Sequence, residues 1–160
     1  MKTLITAGTT AAAYKLKRLL NKDSVFIFAD EEMPAFMPAG SSYVKIPSGD
    51  SPSFAHEMLK LSLDLEVERI FPLRRAEILS LSEAAPLFEE YGIKPIVPLR
   101  SDIEQYLRKT KKADHILVVE NGLVAAAEED AFSLKSFYSG SGIFCINPQN
   151  ISDFTIFTVD

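Results

Sequence analysis

The sequence is poor in the residues that build disulfides, metal clusters and thiol active sites. It has one cysteine, Cys145, and only two histidines among 160 residues. A single cysteine excludes an internal disulfide and argues against a zinc cluster. No histidine lies near Cys145 in the sequence and no third group is evident, so we expect no catalytic thiol. Such cysteine usage is typical of the cytoplasm, which is the location that we predict.

Long apolar runs are also missing. No stretch approaches the roughly 18 apolar residues that cross a bilayer. The N-terminal segment "MKTLITAGTTAAAYK" has the lysine and small residues of a signal peptide, but threonines and a glycine interrupt its apolar part. We therefore expect neither export nor a membrane partner.

Positive charge is scarce. Lys and Arg number 17 against 22 Asp and Glu, which gives a net charge of -5. Nucleic-acid binding needs clustered cations to neutralise phosphates, and the one dense basic run, residues 108–112, is typical of a solvated helix end. We expect no nucleic-acid partner.

The phosphate-binding loops of nucleotide enzymes are absent as well. The chain has neither the three-glycine dinucleotide fingerprint nor a GxxxxGK[ST] loop. It shows no nucleophile paired with a base and no metal-ligand spacing. We predict no catalytic residue, no metal site and no cofactor of its own.

Strands and helices alternate through the first two-thirds of the chain. The apolar runs predict strands at 3–7, 24–29, 43–47, 68–73 and 93–99 and helices at 9–21, 48–67, 75–92 and 101–112. This alternation predicts an α/β fold with a doubly wound, mostly parallel sheet in the order 3-2-1-4-5, forming a Rossmann-like domain over residues 1–112.

Local signals place the ends of several elements. Ser51 and Ser101 are the expected N-caps of the second and fourth helices. Pro86 is expected to break or kink the third helix, and Gly92 to end it. Two prolines and a glycine predict a loop at 30–42.

The remaining chain, 113–160, has a different pattern. Two apolar runs over 115–129 meet at Asn121-Gly122, a strong hairpin signal. Further strands are predicted at 139–148 and 154–159, with room for a helical turn within 147–154. We predict a C-terminal antiparallel β extension packed on the main sheet or on a partner chain, or forming a homodimer through its strands.

Ligands of doubly wound sheets bind at the carboxyl ends of the strands, beside the point where strand order reverses. The first segment there contains Gly8, Thr9 and Thr10, where free amides and hydroxyls at a helix start could hold an anion. The alternative is that Thr9 or Thr10 caps the helix.

Two more segments share this edge. Asp30 could accept hydrogen bonds from ribose hydroxyls, or belong to a solvated acidic loop with Glu31 and Glu32. Arg74 and Arg75 could clamp a carboxylate or phosphate, or make surface ion pairs, and Glu77 opens the next helix. The predicted ligand-binding set is Gly8, Thr9, Thr10, Asp30, Arg74, Arg75 and Glu77.

The order of these segments resembles the N-terminal, pre-ATP-grasp domain of ATP-grasp enzymes, above all the carbamoyl-phosphate-synthase-like group. The resemblance runs through "LITAGTTAAAYKLKRLL", "IFAD", "SYVKIPSGDSPSFAHEMLKL", "RIFPLRRAEILSLSEAAPLFEEYGIKPIVP" and "SDIEQYLRK", over residues 2–110. It implies an accessory domain that helps to form an acceptor-substrate site, and Glu77 matches the glutamate that follows the fourth strand in that family.

The resemblance also shows what is missing. Residues 111–160 leave no room for the family's ATP- and magnesium-binding lobes, so ATP and magnesium are implied only with a separate ATP-grasp chain. We therefore predict a stand-alone domain that binds a small anionic ligand or a partner protein and is not catalytic by itself. The alternatives are a small nucleotide- or dinucleotide-binding enzyme and a structural subunit of a split ATP-grasp ligase of the carboxylate-amine type.

Overall fold

A computed structural model describes residues 1–20, 24–107, 115–128, 138–147 and 150–160. The chain forms two compact units: the first comprises Met1–Pro95 with Val159–Asp160, and the second comprises Ile96–Thr158. The boundary predicted between residues 112 and 113 lies in 108–114, outside the described residues. No helix in the described ranges is long and apolar enough to cross a membrane.

The first unit is built on a five-stranded parallel sheet. Its strands are β1 (Lys2–Ile5), β2 (Val25–Asp30), β3 (Tyr43–Lys45), β4 (Arg69–Phe71) and β5 (Lys94–Pro95). Their order in the sheet is β3-β2-β1-β4-β5, and each neighbouring pair is parallel. The predicted doubly wound order 3-2-1-4-5 is confirmed.

The centre of this sheet is apolar on both faces. On one face, Ile5 of β1 lies between Phe28 of β2 and Phe71 of β4. On the other face, Leu4 lies between Ile27 and Ile70, and all six side chains are at most 7% exposed. Strands buried on both faces read as continuous apolar runs, which is why their sequence predicted a parallel sheet.

The described residues of this unit form three helices: α1 (Ala11–Leu19), α2 (Phe54–Asp64) and α3 (Arg75–Glu90). The prediction that Ser51 caps the second helix is wrong, because the N-cap is Ser53. Ser51 instead stabilises the turn just before the helix. Its carbonyl oxygen accepts from Phe54 N–H at 3.0 Å, and its hydroxyl oxygen accepts from Ser53 N–H at 3.4 Å.

Helix α3 runs through Pro86 without a break, so of the two predicted effects of Pro86, a break or a kink, the break is wrong. Proline removes one hydrogen bond from the helix interior. Burial of Ile78 and Leu81 before it and of Phe88 after it holds both halves in place. Gly92 adopts a positive φ of 75° after the helix, as its predicted role as a C-terminal cap requires.

The fifth strand is shorter than predicted, covering Lys94–Pro95 rather than 93–99. Pro95 and Pro98 have no N–H to donate to a ladder, so pairing cannot extend along this run.

The crossover from β2 to β3, residues 31–42, contains no helix, which confirms the predicted loop. Each of the other crossovers in this sheet, by contrast, carries a helix.

The second unit contains a four-stranded antiparallel sheet. Its strands are β6 (His115–Glu120), β7 (Leu123–Ala127), β8 (Gly142–Asn147) and β9 (Asn150–Ile156), in the order β7-β6-β8-β9. Asn121 and Gly122 both have positive φ, 51° and 81°, as a two-residue hairpin turn requires. The predicted C-terminal antiparallel extension is confirmed.

Two local predictions in this unit are wrong. Residues 150–154 form part of β9 rather than a helical turn, because antiparallel pairing continues back to Asn147 opposite Asn150. Helix α4 (Arg100–Tyr106) is capped by Leu99 rather than Ser101. The chain turns at Leu99 because its N–H donates to the Tyr138 hydroxyl at 3.0 Å, so the helix starts at Arg100.

Candidate functional site

The carboxyl ends of β1, β2 and β4 meet at one edge of the first unit, where the sheet order reverses. Asp30 ends β2, Thr6 follows β1, and Arg74 lies just beyond β4. Hydrogen bonds connect these three strand ends. The structure thus brings together Thr9, Asp30, Arg74 and Glu77 of the predicted set.

The turn after β1 is shaped by a close approach between backbones. Gly8 N–H donates to Ala29 carbonyl oxygen at 3.0 Å, and a Cβ atom on Gly8 would lie 2.6 Å from Phe28 Cβ. Only glycine fits at this distance. The preceding residue, Ala7, takes the strain of the turn with a φ of 49°.

The two threonines of this turn have different partners. Thr10 is the N-cap of α1: its hydroxyl donates to Ala7 carbonyl oxygen at 2.6 Å and accepts from Ala13 N–H at 3.4 Å. Thr9 faces Asp30 instead, and both its N–H and its hydroxyl donate to Asp30 Oδ2, at 3.1 and 2.6 Å. The capping alternative thus describes Thr10, while Thr9 joins the turn to β2.

Asp30 is 4% exposed and lies at the centre of this network. Besides Thr9, its Oδ1 atom accepts from Glu31 N–H at 2.8 Å and from Arg74 Nη2 at 3.0 Å. Burial by itself raises the pKa of this carboxyl group, but the hydrogen bonds from Thr9, Glu31 and Arg74 outweigh it and hold the pKa below its usual value. Asp30 is therefore ionised, and both of its carboxylate oxygens accept hydrogen bonds within the fold. It is not part of a solvated acidic loop.

Arg74 and Arg75 start helix α3 but face different partners. The Arg74 side chain, 26% exposed, forms the ion pair with Asp30. The Arg75 backbone N–H donates to the Asp160 carboxylate at 2.9 Å, and the tail is held there by Val159 N–H, which donates to Leu73 carbonyl oxygen at 2.9 Å. Within the described ranges, the half-buried Arg75 guanidinium has no ion pair.

Glu77 is buried beneath this edge, with 1% exposure. Its Oε2 atom accepts from the Thr6 hydroxyl and from Arg74 N–H, the latter at 3.3 Å, while the Thr6 hydroxyl oxygen accepts from Leu73 N–H at 2.8 Å. Burial raises the pKa of Glu77 to about 7, against the opposing effect of the hydrogen bond from Thr6. This carboxyl group changes charge near neutral pH.

Two buried polar atoms at this edge have no hydrogen-bond partner among the described residues: Nε of Arg74 and Oε1 of Glu77. One can only donate, and the other accepts when Glu77 is ionised and can carry the proton when it is neutral. Buried polar atoms without partners call for an explanation such as a bound water or ligand.

Sequence reasoning missed two residues that build this edge. Thr6 links Glu77 to Leu73, and its one signal was a polar residue at the end of a buried strand. Gly49 lies against the start of α3, where an added Cβ would come within 2.5 Å of Glu77 N and 2.8 Å of Ala76 C. Its contact is with a helix far along the chain, which no local pattern indicates.

This edge offers an ion pair, a helix start with basic side chains, and a carboxyl group that titrates near neutral pH. Across the ranges that the structure describes, no three His, Cys, Asp or Glu side chains group as metal ligands would.

Comparisons with known proteins leave the family open. The fold defines the class, a doubly wound, Rossmann-like α/β unit joined to an antiparallel β unit. No protein-family model matches the chain, and no curated protein sequence matches it. A solved structure of a short-chain dehydrogenase family protein from Francisella tularensis subsp. tularensis SCHU S4 is similar to part of it, with 17% identity and a TM-score of 0.35.

That similarity covers 57% of this chain and 44% of the dehydrogenase chain. The protein thus aligns with less than half the length of this structure. A likeness at this TM-score supports no conclusion about activity.

Proposed function

We propose that the first unit binds a small anionic ligand, a carboxylate or a phosphate, at the edge formed by Arg74, Arg75 and the start of α3, and that the protein is not catalytic by itself. One contact carries this proposal: the Arg75 N–H donates to a carboxylate, that of Asp160, at 2.9 Å. The start of a helix favours an anion through its free N–H groups and its dipole.

The surrounding side chains add to this argument. The guanidinium of Arg75 is available for a bidentate pair with a planar anion. The Arg74 Nε atom, buried without a partner among the described residues, is a further donor at this edge. Asp160 occupies one N–H of this helix start, so a ligand carboxylate would compete with it.

The resemblance to pre-ATP-grasp domains supports a more specific version of the proposal. The unit would then serve as the acceptor-site half of a split ligase in the cytoplasm, and MgATP would bind only when an ATP-grasp chain is present. A purely structural subunit of such a ligase is the version in which no small ligand binds.

A homodimer through the outer strands β7 and β9 is also proposed, and light scattering after size exclusion tests it.

The dinucleotide-enzyme alternative requires Asp30 to accept hydrogen bonds from a ribose. The contacts of Asp30 weigh against it, because both carboxylate oxygens already accept from Thr9, Glu31 and Arg74. A carboxylate that is 4% exposed has little surface left for a sugar hydroxyl.

Titrating the full chain with succinate and with inorganic phosphate, followed by backbone NMR, tests the proposal. We expect saturable shifts at Arg75–Glu77, weaker binding in Arg75→Gln, and tighter binding in Asp160→Asn because a competing carboxylate is removed. Lys60→Gln, an exposed lysine on α2, is the matched control and should bind as the unaltered protein does.

Thermal-shift measurements with NAD, with ATP and with MgATP separate the alternatives, since a ligand that binds the folded state raises the melting temperature. Stabilisation by NAD without any effect of succinate or phosphate would overturn the proposal in favour of the dinucleotide enzyme. No response to any of these compounds would favour the structural subunit.

A further inference from the structure

A second concave surface lies at the opposite end of β2 from Asp30. In the sheet order β3-β2-β1, the two crossovers step in the same direction, so right-handed connections place both on one face. Helix α1 covers the first step. The second step, residues 31–42, has no helix, and this leaves the face of β2 beside α1 open.

The open face forms a cleft of about 780 Å³. Its walls come from Tyr14 and Lys17 of α1, from Val25 and Phe26 of β2, and from the end of the crossover at Gly40. This volume lies in the usual range for small-molecule sites, which are mostly apolar with a few polar groups that orient the ligand.

The apolar part of the cleft is already arranged. Val25 is 57% exposed at the start of β2, although it is a large apolar side chain in a sheet. Deeper in, the Phe28 ring lies 5.0 Å from that of Tyr14 and 5.3 Å from that of Tyr43, and the two tyrosine hydroxyls are hydrogen-bonded to each other. These aromatic contacts fix the Tyr14 wall in place.

The charged part of the cleft has a single sign. Lys17 and Arg18 line it, and none of its described lining residues is acidic. Lys17 Nζ lies 5.8 Å from the centroid of the Phe26 ring and 5.6 Å from that of Phe28. The two cations also lie in the last turn of α1, where they interact favourably with the negative end of the helix dipole. That role does not require them to border a cavity.

We propose that this cleft binds a small aromatic anion, with its ring against Tyr14, Val25 and Phe26 and its acidic group paired with Lys17 and Arg18. Apolar walls favour the ring, and two cations with no carboxylate among the described lining residues favour the acid. The cleft is separate from the edge at Asp30, so the two sites can be tested independently.

The test is an NMR titration of the full chain with 1-naphthyl phosphate, 1-naphthalenemethanol and inorganic phosphate in parallel. The first carries ring and charge, the second only the ring, and the third only the charge. We expect 1-naphthyl phosphate to cause saturable shifts at residues 14–18, 24–26 and 40–42, and to bind on the order of tenfold more tightly than either of the others.

Single variants identify the charge contacts. Lys17→Met and Arg18→Gln alter exposed side chains, and each should weaken 1-naphthyl phosphate binding several-fold, while Lys60→Gln, at an exposed lysine of α2, should not. Unchanged circular dichroism shows that the variants are folded.

Equal affinity for the alcohol and the phosphate ester would overturn the charge assignment and with it the proposal. Shifts confined to residues 74–77 would also overturn it, since the ligand would then be using the edge at Arg75. So would an affinity at the cleft that inorganic phosphate matches, since the ligand would then not need a ring. Failure of 1-naphthyl phosphate to give saturable shifts is the remaining contrary result.

Discussion

The Arg74 guanidinium donates to the Asp30 carboxylate at 3.0 Å and thereby joins the end of β4 to the end of β2 across β1. The turn that follows β1 contributes Thr9, whose N–H and hydroxyl donate to the same carboxylate. One ion pair thus fixes the relative position of three strand ends and of the turn that starts α1.

Removing the charge of Asp30 should loosen this edge. We expect Asp30→Asn to lower the unfolding free energy by about 2–3 kcal/mol at pH 7, since hydrogen bonds to a buried charged group are lost. Because the pKa of Asp30 is lowered in the folded state, its contribution is present above the pKa of the unfolded chain and is lost as the pH falls through the folded-state pKa. Urea unfolding at pH 7 and at pH 3 measures both effects.

Glu32→Gln is the matched control for this change, because Glu32 belongs to the same acidic run but is exposed. It should alter the unfolding free energy by less than about 0.5 kcal/mol. An equal loss in both variants would mean that any loss of negative charge in this run, and not the loss of the Asp30 network, lowers stability.

The stability of the first unit should fall as the pH rises through the range where Glu77 titrates. The folded-state pKa of about 7 lies above the usual value of 4.5, so the folded protein keeps a proton that the unfolded chain releases between these values. The unfolding free energy therefore decreases across this window and levels off above pH 7, by roughly 3 kcal/mol in total.

Glu77→Gln removes this titration, so the variant should show a flat profile over the window and exceed the unaltered protein in stability at pH 8. Urea unfolding followed by circular dichroism suits a chain without tryptophan. Glu90→Gln, at the exposed end of the same helix, should keep the original profile. A slope that survives in Glu77→Gln would assign the titration to another group.

Gly49 should not tolerate a side chain. An added Cβ would lie 2.5 Å from Glu77 N and 2.8 Å from Ala76 C, both backbone atoms that cannot turn aside. We expect Gly49→Ala to cost about 1–3 kcal/mol and to displace the first turn of α3. Gly40→Ala offers a contrast, because nothing lies within 4 Å of the new methyl group and only its φ of 78° opposes it, at about 1 kcal/mol.

Tyr138 should stabilise the second unit through its hydroxyl group. That group donates to Asp102 Oδ2 at 2.8 Å and accepts from Leu99 N–H at 3.0 Å, holding the start of α4. We expect Tyr138→Phe to cost about 1–2 kcal/mol and to speed amide exchange in α4. Tyr91→Phe, at an exposed tyrosine of the first unit, should leave both unchanged.

The strand order could be predicted because buried parallel strands and amphipathic helices leave separate patterns in the sequence. The ends of elements were harder to predict, since they depend on distant partners. Ser101 has the chemistry of an N-cap, yet the Tyr138 hydroxyl starts the helix at Arg100. Pro86 carries a strong local signal, yet burial on both sides outweighs it.

The candidate site, too, could be predicted from the sequence only in part. The edge itself was predicted, because the carboxyl ends of parallel strands must meet there. The contacts within it were not, since Thr6 reaches Glu77 and Thr9 reaches Asp30 only after the sheet has formed. Whether Thr9 or Thr10 caps the helix could not be decided from two adjacent hydroxyl groups.

The pairing of Val159 with Leu73 also sets an order of assembly during protein synthesis. Residues 1–95 leave the ribosome first. The N–H of Arg75 can donate to the carboxylate of Asp160 only after the whole second unit has been made. At roughly 5–20 residues per second this delay lasts several seconds. During that interval the nascent first unit exposes its basic helix start without the chain's own carboxylate.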